Sequence, residues 1–160
     1  MKEDVTILDA CCGAKMFYFD KNDPRVFFQD FRHVSAVLND GRIFSVTPDK
    51  VGDFRSMDFP DERFNMVIFD PPHLIHENPK TQPTGWQMMK YGWLTNDWRD
   101  TIRKGFSECF RVIKTGGFLI VKWNETDIPL KKILELTEYK PILGHRSGRQ
   151  ARTHWVLFMK

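Results

Sequence analysis

Val5-Thr6-Ile7-Leu8-Asp9-Ala10-Cys11-Cys12-Gly13 is a short β-branched, apolar run that ends on an acid and then reaches a glycine. Such a run reads as a buried parallel strand, with a tight turn at its carboxyl end. The same form recurs downstream. Val26-Phe27-Phe28-Gln29-Asp30 again closes on an aspartate, and Phe64-Asn65-Met66-Val67-Ile68-Phe69 leads into Asp70-Pro71-Pro72-His73. Phe118 to Trp123, entered through Gly116-Gly117, is a fourth strand candidate, and Thr153 to Phe158 is a fifth. Asp53, in Val51-Gly52-Asp53-Phe54-Arg55, marks a further strand end.

Helical patterns lie between these runs. From Thr95 to Lys114, Trp98, Ile102, Phe106, Cys109 or Phe110, and Ile113 recur at spacings of three and four, with Gly116 as the C-cap signal. Ile128 to Leu136 is a shorter candidate. Strand and helix in alternation predict an α/β fold, a parallel sheet with helices on both faces. No repeat or linker divides the chain, so residues 1–160 read as one domain. The stretch 73–94 breaks the rhythm: it is a long connection carrying Trp86, Tyr91 and Trp93, and it predicts a lid over a binding site.

Composition narrows the class. With 41% hydrophobic and 28% charged residues the chain reads as an ordinary soluble globular protein. No apolar run approaches the roughly 18 residues of a membrane span, and Met1-Lys2-Glu3-Asp4 lacks the shape of a signal peptide. Three cysteines cannot build a disulfide framework, so a reducing cytoplasm is the simplest setting. The net charge of +3 hides an asymmetry. Residues 1–80 carry 10 Lys/Arg against 14 Asp/Glu, a net of −4, while residues 81–160 carry 14 against 7, a net of +7. The halves therefore predict two surfaces, one for a cofactor and one for a polyanion.

Ligands of open α/β sheets bind beyond the carboxyl ends of the strands, where Asp9, Asp30 and Asp70 all fall. A carboxylate there can accept from both hydroxyls of a ribose, and Asp30 lies 21 residues after Asp9, near the usual spacing of about 20. The first turn contains Gly13 alone of the G-x-G-x-x-G glycines, which argues against a diphosphate. A cofactor with a ribose and no phosphate fits, and S-adenosylmethionine meets that description. Cys11 and Cys12 read as small packing residues. The five histidines show no tight ligand spacing beyond His73 and His76, so no metal is expected.

Asp70-Pro71-Pro72-His73 is the most specific motif. Two prolines fix the backbone and donate no N–H, which holds the local carbonyls out as acceptors. A carboxylate and a rigid carbonyl that accept both N–H bonds of an exocyclic amine would aim its lone pair at a methyl donor. A flat ring at the fourth position can stack on an extruded base. Together Asp9-Ala10-Cys11-Cys12-Gly13, Asp30, Gly52-Asp53 and Asp70-Pro71-Pro72-His73 resemble class I S-adenosylmethionine-dependent methyltransferases, and the tetrad resembles the (D/N/S)-P-P-(Y/F/W/H) motif of nucleic-acid amino-methyltransferases.

That resemblance runs roughly from Val5 to Trp123 and implies a Rossmann-like fold, mostly parallel, with an antiparallel C-terminal strand. It implies that Asp9, Ala10, Cys11, Cys12 and Gly13 wrap the methionine end of the cofactor, that Asp30 holds the ribose, and that Asp53 and Phe54 meet the adenine. Asp70 and the Pro71 carbonyl would accept from the target amine. His73, in place of the commoner Tyr, Phe or Trp, raises a protonation-dependent role. On the substrate side stand Trp86, Tyr91 and Trp93 in the lid, Lys122 at a strand end, and His145, Arg146 and Arg149 in a basic loop over 144–152. The expected reaction is methyl transfer to a base amine, adenine N6 in DNA first and an RNA base second. No added recognition module is visible, so a second copy or a partner subunit could assist target recognition. The rival is a non-catalytic, cofactor-binding subunit, which would have no need of an intact tetrad.

Overall fold

The computed structural model describes residues 5–37, 41–77, 86–148 and 151–160. In chain order the elements are β1 (Ile7–Asp9), β2 (Val26–Asp30), β3 (Val34–Val37), β4 (Ile43–Val46), β5 (Lys50–Val51), β6 (Phe64–Phe69), α1 (Trp86–Tyr91), α2 (Trp98–Val112), β7 (Ile113–Asn124), α3 (Leu130–Leu134), β8 (Leu143–Arg146) and β9 (Thr153–Met159). Seven strands form one sheet in the order β5-β2-β1-β6-β7-β9-β8. β5, β2, β1, β6 and β7 run parallel, and β9 enters antiparallel between β7 and β8. This is the expected Rossmann-like α/β sheet, with all five strands that the apolar runs predict. No helix among the described residues is long and apolar enough to cross a membrane.

Pleat alternation divides the side chains of the sheet between two faces. Leu8, Val67, Phe69, Leu119, Val121, Trp123, Val156 and Phe158 point to one face and are buried. α2 lays Trp98, Ile102, Phe106, Cys109 and Phe110 on that face, and α3 adds Ile133. Gly105 allows the close approach: a Cβ there would sit 2.5 Å from the Phe69 ring. Truncating Phe106 to Ala would cost about 3–5 kcal/mol, the usual cost of emptying a packed aromatic site.

Cover on the opposite face is different. The β1–β2 connection is a run of turns with Gly13 (φ +50) and Lys15 (φ +53), and it stays non-helical. It covers β2 with Tyr18, edge-on to Phe28 at 4.9 Å, and with Lys15, whose Nζ lies 3.9 Å from the Phe28 ring centre. Between β2 and β5 the chain makes an exposed antiparallel hairpin, β3–β4.

Two local expectations are corrected. α2 ends at Val112, where the Ile113 N–H bonds the Cys109 carbonyl, so Gly116 is no helix cap. It lies inside β7, with its N–H bonded to the Lys160 carbonyl. The basic loop is shorter than 144–152, because Leu143–Arg146 pairs with β9 as a strand.

Candidate functional site

The chain reverses its direction of travel across the sheet between β1 and β6, which opens a crevice at their carboxyl ends. Three adjacent strands deliver Asp9, Asp30 and Asp70 to that edge, and each acid is fixed differently. Asp9 is fully buried. The Tyr18 hydroxyl donates to its Oδ2 at 2.8 Å and the Cys11 N–H to its Oδ1 at 3.1 Å. Burial pushes its pKa from 3.8 up to about 7 against those two hydrogen bonds, and the charges of Asp70 and Asp30 add to the rise.

Asp30 ties the first turn to the lid. Its Oδ2 accepts the Gly13 N–H at 2.9 Å, while Oδ1 accepts the Arg32 N–H and Nε–H at 2.9 and 3.0 Å. The same guanidinium donates to the Lys90 carbonyl in α1 at 3.4 Å. Gly13 holds its left-handed conformation with nothing within 4 Å of a Cβ position, so the turn presents bare backbone to the crevice.

Asp70, its side chain 18% exposed, accepts a 2.6 Å hydrogen bond from Lys122 Nζ on its Oδ2. Burial raises its pKa and the Lys122 charge opposes the rise. Asp70 Oδ1 has no protein hydrogen bond among the described residues. The His73 ring lies 5.5 Å from Tyr91 and 6.3 Å from Trp123, centre to centre. Burial, with Lys122 adding to it, pushes the His73 pKa down to about 4, so the ring is neutral near pH 7 and serves as a flat surface rather than a titrating group.

These groups surround one cleft that opens to solvent. Ala10, Cys11, Cys12, Gly13, Asp30 and Phe54 line one end, and Asp70, Pro71, Pro72, His73, Tyr91 and Lys122 line the other. Asp9 supports the floor from beneath. Lys90, a cation of the expected lid, also lines it, and sequence reasoning missed Met16, Phe17, Phe31 and Arg32, which do so too. Phe31 had a signal, since it directly follows a strand-end acid and is 64% exposed in spite of its apolar ring.

Other expected residues lie elsewhere. The Asp53 carboxylate forks onto Arg55, with its nearest contact at 2.7 Å. Arg146 pairs with Glu125, which also stands 2.9 Å from His154, and these contacts hold the Glu125 pKa down at about 2. His145 lies in β8 opposite Trp155, beside a separate groove against α3. Trp93 stands 6.5 Å from His76, ring to ring, and does not line the cleft. Trp86 supplies only backbone to the described α1, and Arg149 lies outside the described residues, as do 78–85 of the expected lid.

The lining fits a nucleoside without a diphosphate. Asp30 and Asp70 stand in it beside Arg32, Lys90 and Lys122, Phe31 and Phe54 offer apolar ring faces, and the first turn has no glycine-rich cradle for a diphosphate. Among the described residues no group of three or more His, Cys, Asp or Glu side chains converges as a metal site.

No family model matches the chain, and no curated protein matches it. Solved structures share its fold. The PH0226 protein of Pyrococcus horikoshii OT3 superposes with a TM-score of 0.61 at 15% identity, over 96% of this chain and 81% of that one. An S-adenosylmethionine-dependent methyltransferase of Methanosarcina mazei gives 0.56 at 12%, over 100% and 94%. An rRNA methylase of Streptococcus thermophilus gives 0.51 at 13%, over 100% and 89%.

Proposed function

We propose that the chain is an S-adenosylmethionine-dependent methyltransferase acting on an exocyclic amine of a nucleic-acid base, adenine N6 in DNA first. The observation that carries this reading is the shared cleft, in which Asp70, pinned by Lys122, stands with His73 at one end and the Asp9–Gly13–Asp30 cluster at the other. The fold neighbours that include methyltransferases support it.

S-adenosylmethionine, when bound, supplies the methyl group. Gly13 and its neighbours pass bare backbone along the methionine end, Asp30 takes the ribose hydroxyls, and Phe31 and Phe54 flank the adenine. The acid cluster attracts the cationic sulfonium end. Asp70 Oδ1 and the Pro71 carbonyl accept the two amine N–H bonds and turn the nitrogen lone pair toward the methyl. The raised pKa of Asp70 equips it to take the proton that the amine sheds, while Lys122 keeps Oδ2 oriented. His73, backed by Tyr91 and Trp123, stacks on the extruded base. The described ends of the expected lid bring His73, Lys90 and Tyr91 to the cleft beside that base, and extra target selection comes from a second copy or a partner subunit.

The test is transfer of a tritiated methyl group to DNA, to total RNA and to protein, followed by nucleoside mass spectrometry. Label in N6-methyladenine of DNA is the expected result, and label in an RNA base would move the substrate while keeping the chemistry. Asp70→Ala should abolish turnover and retain cofactor binding by calorimetry. Near-native turnover in that variant would remove the mechanism.

A further inference from the structure

Trp155 is a large aromatic side chain with only part of its surface in contact with the fold. In β9 it pairs with Lys122 of β7 on one side and His145 of β8 on the other, and paired residues of neighbouring strands point to the same face of a sheet. Lys122, Trp155 and His145 therefore form one row. That row lies on the face away from α2 and α3, because Val121, Trp123 and Val156, the alternating neighbours, pack into the helix-covered core. Phe17 meets the indole edge-on at 5.3 Å and is itself stacked on Tyr18, whose hydroxyl is bonded to Asp9. Trp155 stays half-buried, and its indole N–H has no hydrogen bond among the described residues. The fully buried Trp123, by contrast, donates to the Ile128 carbonyl at 2.9 Å. A partly wet indole with an unpaired N–H offers both a flat apolar face and a donor to a ligand.

The row continues the cleft. Phe17 and Lys122 both line it. Lys122 Nζ lies 2.6 Å from Asp70 Oδ2, 5.4 Å from the Phe17 ring centre and 5.9 Å from that of Trp155, so a single ammonium separates the indole from the carboxylate. The charge around Trp155 has one sign: from Tyr139 to Lys160 the chain carries Lys140, Arg146, Arg149, Arg152 and Lys160 and no acid. Arg152, just before β9, is exposed and makes no ion pair among the described residues, and His145 is exposed beside the indole. We propose that Trp155 is the stacking platform for the nucleotide next to the extruded base, with Phe17 at its edge and His145 and Arg152 toward the flanking phosphates. This rests on the reading of the cleft as a base methyltransferase site. Stacking on an indole accepts any base, and the basic surround answers a phosphate backbone, so the ligand is a single strand of linked nucleotides rather than a free nucleoside.

The test is fluorescence anisotropy of the full chain with two labelled single-stranded probes of about twelve nucleotides, one DNA and one RNA. Trp155→Ala should weaken binding of the tighter probe about tenfold or more, Trp155→Phe should stay within about threefold, and Lys104→Ala on α2 should bind as the native chain does. Circular dichroism checks that each variant keeps its fold. A second measurement needs no variant: the native chain, irradiated with a probe carrying 5-iodouracil, should be crosslinked on the peptide that bears Trp155, as read by mass spectrometry. Native affinity in Trp155→Ala overturns the proposal, as does a crosslink that leaves that peptide unmodified or a failure of both probes to bind. Binding is read without cofactor or turnover. Methyl transfer to a base that persists while Trp155→Ala binds as the native chain does would sink the platform and leave the methyl-transfer reading standing.

Discussion

Asp9→Asn isolates the cost of placing a carboxylate beneath the cleft. Asparagine keeps the shape and the hydrogen bonds: its Oδ1 can accept the Cys11 N–H, and its Nδ2 can donate to the Tyr18 oxygen. It removes the charge. In the folded chain the Asp9 pKa is raised from 3.8 to about 7, so the folded state holds this proton more tightly than the unfolded state does. Below about pH 4 the group is protonated in both states and costs nothing. Between pH 4 and 7 the unfolded chain ionises first, and stability falls by up to about 1.4 kcal/mol per pH unit; above 7 the full penalty, about 4 kcal/mol, is in place. Urea unfolding of the native chain and of Asp9→Asn, measured at intervals from pH 4 to pH 9, reads the difference directly. The variant should gain stability over the native chain with rising pH, level off above pH 7, and be several kcal/mol more stable at pH 8. Parallel pH profiles, or a less stable variant at pH 8, would refute the reasoning that burial dominates Asp9.

Lys122→Met removes the charge that restrains the Asp70 pKa, so the acid limb of the pH–rate profile should move to higher pH while cofactor affinity changes little; an unmoved limb would show that Lys122 does not act through Asp70. His73→Phe keeps a flat ring where histidine is already neutral, and turnover should stay within about threefold with the same profile between about pH 5.5 and 8.5. A limb of the native profile that disappears in the variant would mean that His73 titrates. Arg32→Met frees Asp30 Oδ1 from its guanidinium contact, and binding of adenosine, measured by calorimetry, should tighten. Weaker binding would show instead that Arg32 orients Asp30 for the ribose.

The strands that could be read from sequence are those buried in the sheet. Leu8, Val67 and Leu119 need partners on a helix-covered face, and that need writes apolar, β-branched runs into the chain. Terminal acids mark the crevice for the same reason, since Asp9, Asp30 and Asp70 follow such runs immediately. β3 and β8 were not legible because all their residues are exposed, and Leu143-Gly144-His145-Arg146 has the composition of a loop. Pairings across long sequence separations carry no local signal either. Lys122 meets Asp70 over 52 residues, and Arg146 meets Glu125 over 21. The carboxylates could be found one strand at a time, and Lys122 could be found at its strand end, but its pairing with Asp70 could not.

The place of β9 bears on how the molecule is made. Among the described strands, β9 is the sole partner of β8 and the second partner of β7, and it follows both in the chain. Domains form as their strands leave the ribosome, and long-range pairings wait for their partners. The acidic half of the sheet is therefore available first, with Arg32 already beside Asp30, while Asp70 waits for Lys122, 52 residues on. β9, once synthesised, flanks β7 on the side away from β6, and β7 carries the cation that Asp70 awaits.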